Sequence, residues 1–225
     1  MEISSVAFRE PGKIGQYSEV ATGGMGWLMV EYIKILNQCP NCDGKMVLEL
    51  GVGPGSVMPW LRNKFGDKVS GMNIQEILER GAKVRKGLLA KGVKQNFPVS
   101  SNSKDVIVAL HIFEPEDLGD ILDEIERMLI PGGEATVVIP VPEIDKDLTA
   151  VHMEKLRTCK GMEKLLEVWK TVDGKKAEAM WKKSMDERIK SDDTIDRKLE
   201  IKEARIVSSP EMAERLCIVT LKKTA

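Results

Sequence analysis

The stretch VLELGVGPG, from Val47 to Gly55, joins a short run of low polarity to a cluster of glycines. Such a run is typical of a strand that is buried on both faces of a parallel sheet. Glycines directly after it allow a tight turn, positive φ values and close approach of the backbone to a ligand. The stretch therefore predicts a strand from Met46 to Leu50, a ligand-binding turn from Glu49 to Gly55, and a helix from Ser56 to Phe65.

The spacing of the glycines narrows the class of ligand. Gly51, Gly53 and Gly55 follow a GxGxG pattern, and the acid Glu49 stands two residues before the first of them. No Gly-Lys-Ser/Thr follows, which excludes a P-loop for nucleoside triphosphates. A dinucleotide site needs an acidic residue ~20 residues beyond the glycines, and Asn73 is a poor candidate for that role. The turn thus favours neither a triphosphate site nor a dinucleotide site.

Beyond the turn, short apolar runs alternate with longer amphipathic segments. Further strands are predicted at Val69–Ile74, Leu88–Val93, Asp105–Leu110, Glu134–Pro140, Leu199–Val207 and Arg215–Lys222. Helices are predicted at Met25–Gln38, Gln75–Lys91 and Glu116–Leu129, and the last is ended by Pro131-Gly132-Gly133. This alternation implies right-handed βαβ crossovers. We therefore predict an α/β fold with a Rossmann-like, doubly wound, mostly parallel sheet of seven strands.

Residues 143–198 differ from the rest of the chain, because their apolar residues recur at helical spacing and they contain no strand candidate. Their breakers stand near Gly161 and Gly174, and their 14 basic and 13 acidic residues predict a solvated helical insertion, not an arm for a polyanion. We predict one domain over residues 1–225. An irregular arm, residues 1–24, and the insertion before the last two strands would together form a lid.

The overall composition excludes some classes of partner. Lys and Arg number 34 against 35 Asp and Glu, so the net charge is -1 and no positive field favours nucleic acid. No apolar run reaches the ~18–20 residues that span a bilayer, and the first residues lack a signal-peptide pattern. We expect a cytoplasmic protein without a membrane partner. Cys39 and Cys42 form a lone CxxC pair without a second pair to complete a zinc set, so no metal site is predicted.

Four stretches in this order resemble the class I S-adenosylmethionine-dependent methyltransferases. They are VLELGVGPG (Val47–Gly55), VSGMNI (Val69–Ile74), NFPVSSNSKDVIVALHIFE (Asn96–Glu114) and MLIPGGEATVVIP (Met128–Pro140). Within that family, the chain is most similar to the small-molecule group whose best-known members methylate quinone precursors. The resemblance implies S-adenosyl-L-methionine as the cofactor.

The resemblance also implies which residues hold the cofactor. Gly51, Gly53 and Gly55 would line its methionine end, with Glu49 fixing the turn or reaching the amino group. The end of the second strand would hold the ribose, where Asn73 and Ile74 stand in this chain, and an amide can accept from one hydroxyl and donate to the other. Val93 would approach the adenine, and Leu110 ends the strand beside the site.

Methyl transfer from a sulfonium is an in-line displacement, so alignment supplies much of the rate. A general base is needed only when the acceptor carries a proton at neutral pH. His111 follows the strand Asp105–Leu110 at the carboxyl edge of the sheet, where ligands of open α/β folds bind. It is the candidate catalytic base or substrate contact, with a structural hydrogen bond to the neighbouring loop as the alternative.

The sequence thus predicts transfer of a methyl group from S-adenosylmethionine to a small-molecule acceptor, at an oxygen, nitrogen, sulfur or carbon atom. One alternative is a methyltransferase that acts on protein or RNA and docks it on the insertion. Another is a non-catalytic partner subunit with the same fold, because Asn73 and Val93 stand where many relatives carry acids. The oligomeric state stays open at this stage.

Overall fold

The computed structural model describes residues 44–50, 58–72, 97–109, 115–140, 156, 158–190, 197–208 and 215–225. Their strands are β1 Val47–Leu50, β2 Val69–Met72, β3 Lys104–Ala109, β4 Leu129–Pro140, β5 Leu199–Ser208 and β6 Arg215–Lys223. Their helices are α1 Met58–Phe65, α2 Pro115–Met128 and α3 Met162–Lys190, with a short 3-10 turn at Gly66–Lys68. No helix among these residues is both long and apolar enough to span a membrane.

The six described strands form one sheet in the order β2-β1-β3-β4-β6-β5. The first four are mutually parallel, and β6 runs antiparallel between β4 and β5. The chain moves from β1 outward to β2 and then returns to the other side of β1 with β3. This reversal confirms the doubly wound, mostly parallel α/β prediction, and it creates a switch point between β1 and β3. The predicted strand Leu88–Val93 and the helices Met25–Gln38 and Gln75–Lys91 lie outside the described residues.

Alternating side chains on the strands supply both faces of the sheet with apolar residues, as expected for a covered parallel sheet. On one face, α2 and α3 pack against the sheet through the cluster that contains Leu48, Leu50, Ile107 and Ala109. On the other face, α1 packs against Val47, Val69, Val106 and Val108. Strand β1 is therefore buried over its whole length, which explains its low polarity.

Helix α2 matches its predicted stripe, and Leu118, Ile121, Leu122 and Ile125 are all buried. The prediction that strand β4 starts at Glu134 is wrong, because the strand already begins at Leu129, directly after the helix. Leu129 pairs with Lys104, and after a shift of register the ladder resumes with Glu134 opposite Val106. The Pro-Gly-Gly sequence therefore forms an irregularity within β4, where Gly132 has a φ of 82°.

The described part of the insertion is helical and anchored to the domain. Helix α3 is interrupted at Asp173 (φ -150°, ψ 93°), beside the predicted breaker Gly174. Trp169 is fully buried against the sheet with other apolar residues of the helix. Before the helix, Lys160 forms a parallel bridge with Glu200 at the edge of β5. The insertion thus contributes to the core as well as to the surface.

Candidate functional site

The carboxyl ends of β1, β2 and β3 lie side by side. Leu50, the last residue of β1, pairs with Met72 at the end of β2 and with Ala109 at the end of β3. The residues that follow these three ends along the chain are Gly51, Asn73 and Leu110. The register therefore brings the strand ends that precede the glycine turn, Asn73 and Leu110 to one edge of the sheet, next to the switch point.

Glu49 is the predicted site residue that the described part of the chain contains. It lies in β1 opposite Gly71 and Val108, and its exposed fraction is 0%. Strand alternation places its side chain on the α1 face of the sheet, the face of Val47. A carboxylate in such surroundings is costly unless it is hydrogen-bonded or paired, and Glu49 does interact with other groups of the protein.

This position suits Glu49 for both roles that the sequence suggested. An ionised carboxylate only accepts hydrogen bonds, so it can hold backbone N–H groups of a following turn or an ammonium group of a ligand. Such charge-assisted bonds are about twice as strong as neutral ones. The amino-acid end of S-adenosylmethionine carries an ammonium, so the donor and acceptor chemistry at the end of β1 fits this cofactor.

The other predicted site residues are Gly51, Gly53, Gly55, Asn73, Ile74, Val93, Leu110 and His111, and all of them lie outside the described residues. The elements that flank His111 are described. Strand β3 ends at Ala109 and α2 begins at Pro115, so the intervening chain starts at the carboxyl edge of the sheet. The buried stripe of α2 fixes the far end of that connection.

Sequence reasoning missed an ion pair on α2 that holds the chain leading into β3. The Arg127 guanidinium meets the Glu124 carboxylate with Nε–Oε1 at 3.0 Å and Nη2–Oε2 at 2.8 Å. Glu124 also accepts from the Phe97 backbone N–H at 3.0 Å, while Arg127 donates to the Val99 carbonyl at 2.6 Å. The local signal was an i,i+3 Glu–Arg spacing, which is indistinguishable from an ordinary solvated pair.

A buried arginine, also missed, ties the end of the insertion to α2. Arg197, just before β5, is 5% exposed and donates to Asp123 Oδ1 at 2.7 Å and to the Gly119 carbonyl at 2.9 Å. It also donates to the Thr158 hydroxyl, near the start of the described insertion. The base of the insertion is thereby fixed on the helix that follows the candidate site.

The described cysteines are unsuited to nucleophilic chemistry. Cys159 and Cys217 are both buried. Burial raises the pKa of each thiol to about 12, so both are protonated at neutral pH. Neither thiol is therefore a candidate nucleophile, because the thiolate is the reactive form.

Residues 47–133 match a family model described as a methyltransferase domain. No curated protein matches the chain significantly. Among solved structures, the geranyl diphosphate C-methyltransferase from Streptomyces coelicolor A3(2) is 10% identical, with 100% of this chain and 91% of that chain covered, at a TM-score of 0.50. A SAM-dependent methyltransferase from Aquifex aeolicus is 18% identical, with coverage of 96% and 100% and a TM-score of 0.46.

The matched residues run from the start of β1 into β4 and so contain the strands that form the candidate edge. At 10% identity, the Streptomyces structure supports the fold alone. Family match and sheet order agree with the resemblance seen in the sequence, whereas the quinone-precursor subgroup is a finer assignment that these matches do not reach. Residues 47–133 of this chain thus match a methyltransferase domain, and the sheet that contains them has a Rossmann-like, doubly wound strand order.

Proposed function

We propose that the protein transfers the methyl group of S-adenosylmethionine to a small-molecule acceptor, as the quinone-precursor methyltransferases do. The observation that carries this proposal is the register that ends β1, β2 and β3 together, with the buried carboxylate of Glu49 at that edge. The cofactor supplies an electrophilic methyl group on a sulfonium. The residues of the chain bind the cofactor, orient its methyl group toward the acceptor and exclude water.

In this proposal Glu49 accepts from the turn or from the ammonium of the cofactor. Gly51, Gly53 and Gly55 let the backbone approach the methionine end. Asn73 and Ile74 follow β2 and hold the ribose. The adenine is contacted by Val93, and Leu110 follows β3 directly along the chain.

His111 is the proposed general base or acceptor contact, because it follows β3 at the edge of the cofactor site. A histidine titrates near neutral pH and can remove a proton from a hydroxyl or amine acceptor as the methyl group arrives. For an acceptor without such a proton, His111 would only orient it. The pH dependence of the activity of a His111→Gln variant separates the two roles. If His111 is the base, its protonation lowers the activity of the wild-type protein at acidic pH, and the variant loses this part of the pH dependence.

The insertion favours a small acceptor over a macromolecule. Among the residues of helix α3 whose side chains are described, Leu165 and Trp169 are fully buried and belong to the core that covers the sheet. The helix carries 8 basic and 6 acidic residues, which gives no strong field for a nucleic acid or an acidic protein. We propose that the insertion, with the N-terminal arm, is a lid that selects the acceptor, within one domain spanning residues 1–225.

The test uses S-adenosylmethionine labelled on its methyl group. The purified protein is incubated with it and with a cell extract that has been divided by ultrafiltration into small molecules and macromolecules. We expect label to enter the small-molecule fraction. Label that enters only protein or RNA would overturn the proposed acceptor class. A Gly53→Asp variant, whose side chain fills the backbone's approach to the ligand, is the inactive control.

A binding experiment tests the proposed contacts separately. Calorimetry with S-adenosylhomocysteine should give a dissociation constant for the wild-type protein and none for Gly53→Asp. Asn73→Ala should weaken binding and leave thermal unfolding unchanged. An unchanged dissociation constant for Asn73→Ala would show that the ribose is held elsewhere, and no wild-type binding at millimolar concentrations would favour a non-catalytic partner subunit.

A further inference from the structure

The Glu124–Arg127 pair on α2 acts as a clamp on residues 97–101. One oxygen of Glu124 accepts from the N–H of Phe97, and Arg127 donates to the carbonyls of Phe97 at 3.2 Å and Val99 at 2.6 Å. Arg127 also reaches the hydroxyl of Ser101 at 3.3 Å. These residues are in neither a helix nor a strand, so the two side chains satisfy backbone groups that a sheet or helix would otherwise satisfy.

The two side chains of the clamp are paired and shielded from most of the solvent. The exposed fractions of the two side chains are 4% for Glu124 and 19% for Arg127. Their contact is bidentate, which fixes the orientation of the guanidinium as well as its distance. Immediately after the clamped residues, the N–H groups of Asn102 and Ser103 donate to the carbonyls of the last residues of α2, Arg127 and Met128, at 2.9 Å each. The whole approach to β3 therefore follows α2.

The clamped residues are also the chain that follows the proposed adenine contact. Phe97 is buried in the same cluster as Ile121 and Ile125 of α2, so side chain and backbone are both held. Val93 precedes Phe97 by four residues, and four residues reach at most about 14 Å. The position at which α2 holds Phe97 therefore limits where the adenine contact can lie.

We propose that Glu124 and Arg127 are positioning residues for the adenine of the cofactor. They act through the chain that they clamp, without contacting the ligand. This inference rests on the proposed function, and specifically on the adenine role of Val93. It assigns to α2 a part in cofactor recognition besides its part in the core.

The test measures recognition of the base, which a purely structural contact would not change. Calorimetry gives the dissociation constants of S-adenosylhomocysteine and of its inosine counterpart, S-inosylhomocysteine, in which the hydrogen-bonding edge of the base is altered. Two variants weaken the clamp differently: Glu124→Gln removes the charge, and Arg127→Lys keeps a charge but loses the fork. We expect each variant to weaken S-adenosylhomocysteine by about 2-fold to 30-fold, the range of indirect positioning contacts, and to lower the preference for adenine over inosine.

The matched control is Asp123→Asn, one residue before Glu124 on the same helix. It weakens the ion pair with Arg197, on the side of the insertion, and should lower thermal stability without changing the adenine preference. If folded Glu124→Gln or Arg127→Lys keeps the wild-type preference for adenine, the clamp is only structural and the proposal is wrong. Absence of S-adenosylhomocysteine binding by the wild-type protein would instead overturn the proposed function, and this proposal with it.

Discussion

The ammonium of Lys104 donates a hydrogen bond to the hydroxyl of Ser70 at 3.0 Å, and that hydroxyl donates to the carbonyl of Val47 at 3.2 Å. Because β1 lies between β2 and β3 in the sheet, the lysine at the start of β3 reaches to the second strand away. Lys104 is buried, and this burial lowers its pKa from the usual 10.5. The folded protein therefore holds a charge at a position that disfavours the charge.

Replacing Lys104 with Met should stabilise the protein at pH 7. A base whose pKa is lower in the folded state binds fewer protons there than in the unfolded chain. Its stability penalty is therefore fully present below the lowered pKa and is relieved as the pH rises toward 10.5. We expect Lys104→Met to raise the midpoint of thermal unfolding at pH 7 and to reduce the rise in stability as the pH approaches 10.5. If the free energy of unfolding rose equally steeply with pH in the variant and in the wild-type protein, this prediction would be wrong.

Lys223 is the matched comparison, because burial also lowers its pKa. Its ammonium, however, donates to Asn102 Oδ1 at 2.7 Å and to the Leu129 carbonyl at 2.8 Å. Removing it leaves the buried carbonyl of Leu129 without this donor, which costs about 1–3 kcal/mol, whereas the exposed amide of Asn102 can bond water instead. Lys223→Met should therefore lower the free energy of unfolding measured in urea, whereas Lys104→Met should raise it. Changes of the same sign in the two variants would contradict this comparison.

Gly161 allows the insertion to meet the edge of β5. Its φ is 74°, and a Cβ atom there would lie 2.7 Å from the carbonyl oxygen of Ile201. A left-handed conformation alone costs about 1–2 kcal/mol for a residue with a side chain. We expect Gly161→Ala to lower the free energy of unfolding by more than that, as measured by urea titration.

Gly174 provides the control for this substitution. A Cβ atom at Gly174 meets nothing within 4 Å, and its φ is outside the positive region. Gly174→Ala should therefore be neutral or stabilise the protein by up to about 1 kcal/mol. Equal losses in the two variants would mean that neither the left-handed backbone of Gly161 nor its close approach to Ile201 explains the effect of Gly161→Ala.

Structural features that produce a local pattern in the sequence could be predicted from it. Strands β1 and β3 and helix α2 were predicted to within one residue at each end, because the strands are short apolar runs and the apolar residues of the helix recur at helical spacing. The start of β4 was not, since Pro131-Gly132-Gly133 has the composition of a terminator, and only the pairing of Leu129 with Lys104 extends the strand.

Contacts between distant residues left no such pattern. Glu124 and Phe97 are 27 positions apart, and Arg197 and Asp123 are 74 apart. At the candidate site, Glu49 was identified because it belongs to a motif of glycines and an acid that stands between a strand and a helix. Glu124 and Arg197 belong to no motif, so their roles became visible only when α2 was placed beside the chain that they hold.

The two described cysteines should resist thiol reagents in the native protein. Both are buried, and burial raises the pKa of each to about 12, so the reactive thiolate is scarce at pH 8. A Cys39→Ser/Cys42→Ser double variant leaves only Cys159 and Cys217. We expect no reaction of this variant with a disulfide reagent in buffer and reaction of both thiols in urea. Rapid labelling in buffer would mean that the core opens around α3 or β6.

Glu49→Gln tests what the buried carboxylate at the end of β1 does. Glutamine keeps the shape and loses the charge, and a hydrogen bond to a charged group contributes about 1.5–3 kcal/mol, equivalent to at least tenfold in affinity. We therefore expect calorimetry to show S-adenosylhomocysteine binding at least about tenfold more weakly to the variant.

A second ligand, 5′-methylthioadenosine, identifies the group that Glu49 serves, because it lacks the amino-acid end of the cofactor. If the carboxylate accepts from the ammonium, the substitution weakens S-adenosylhomocysteine and leaves methylthioadenosine unchanged. If it holds the glycine turn, both ligands weaken together, as they should in Gly53→Asp. Full affinity for both ligands in a folded Glu49→Gln variant would remove Glu49 from the site, and its burial at 0% exposure would then serve only the α1 face of the sheet.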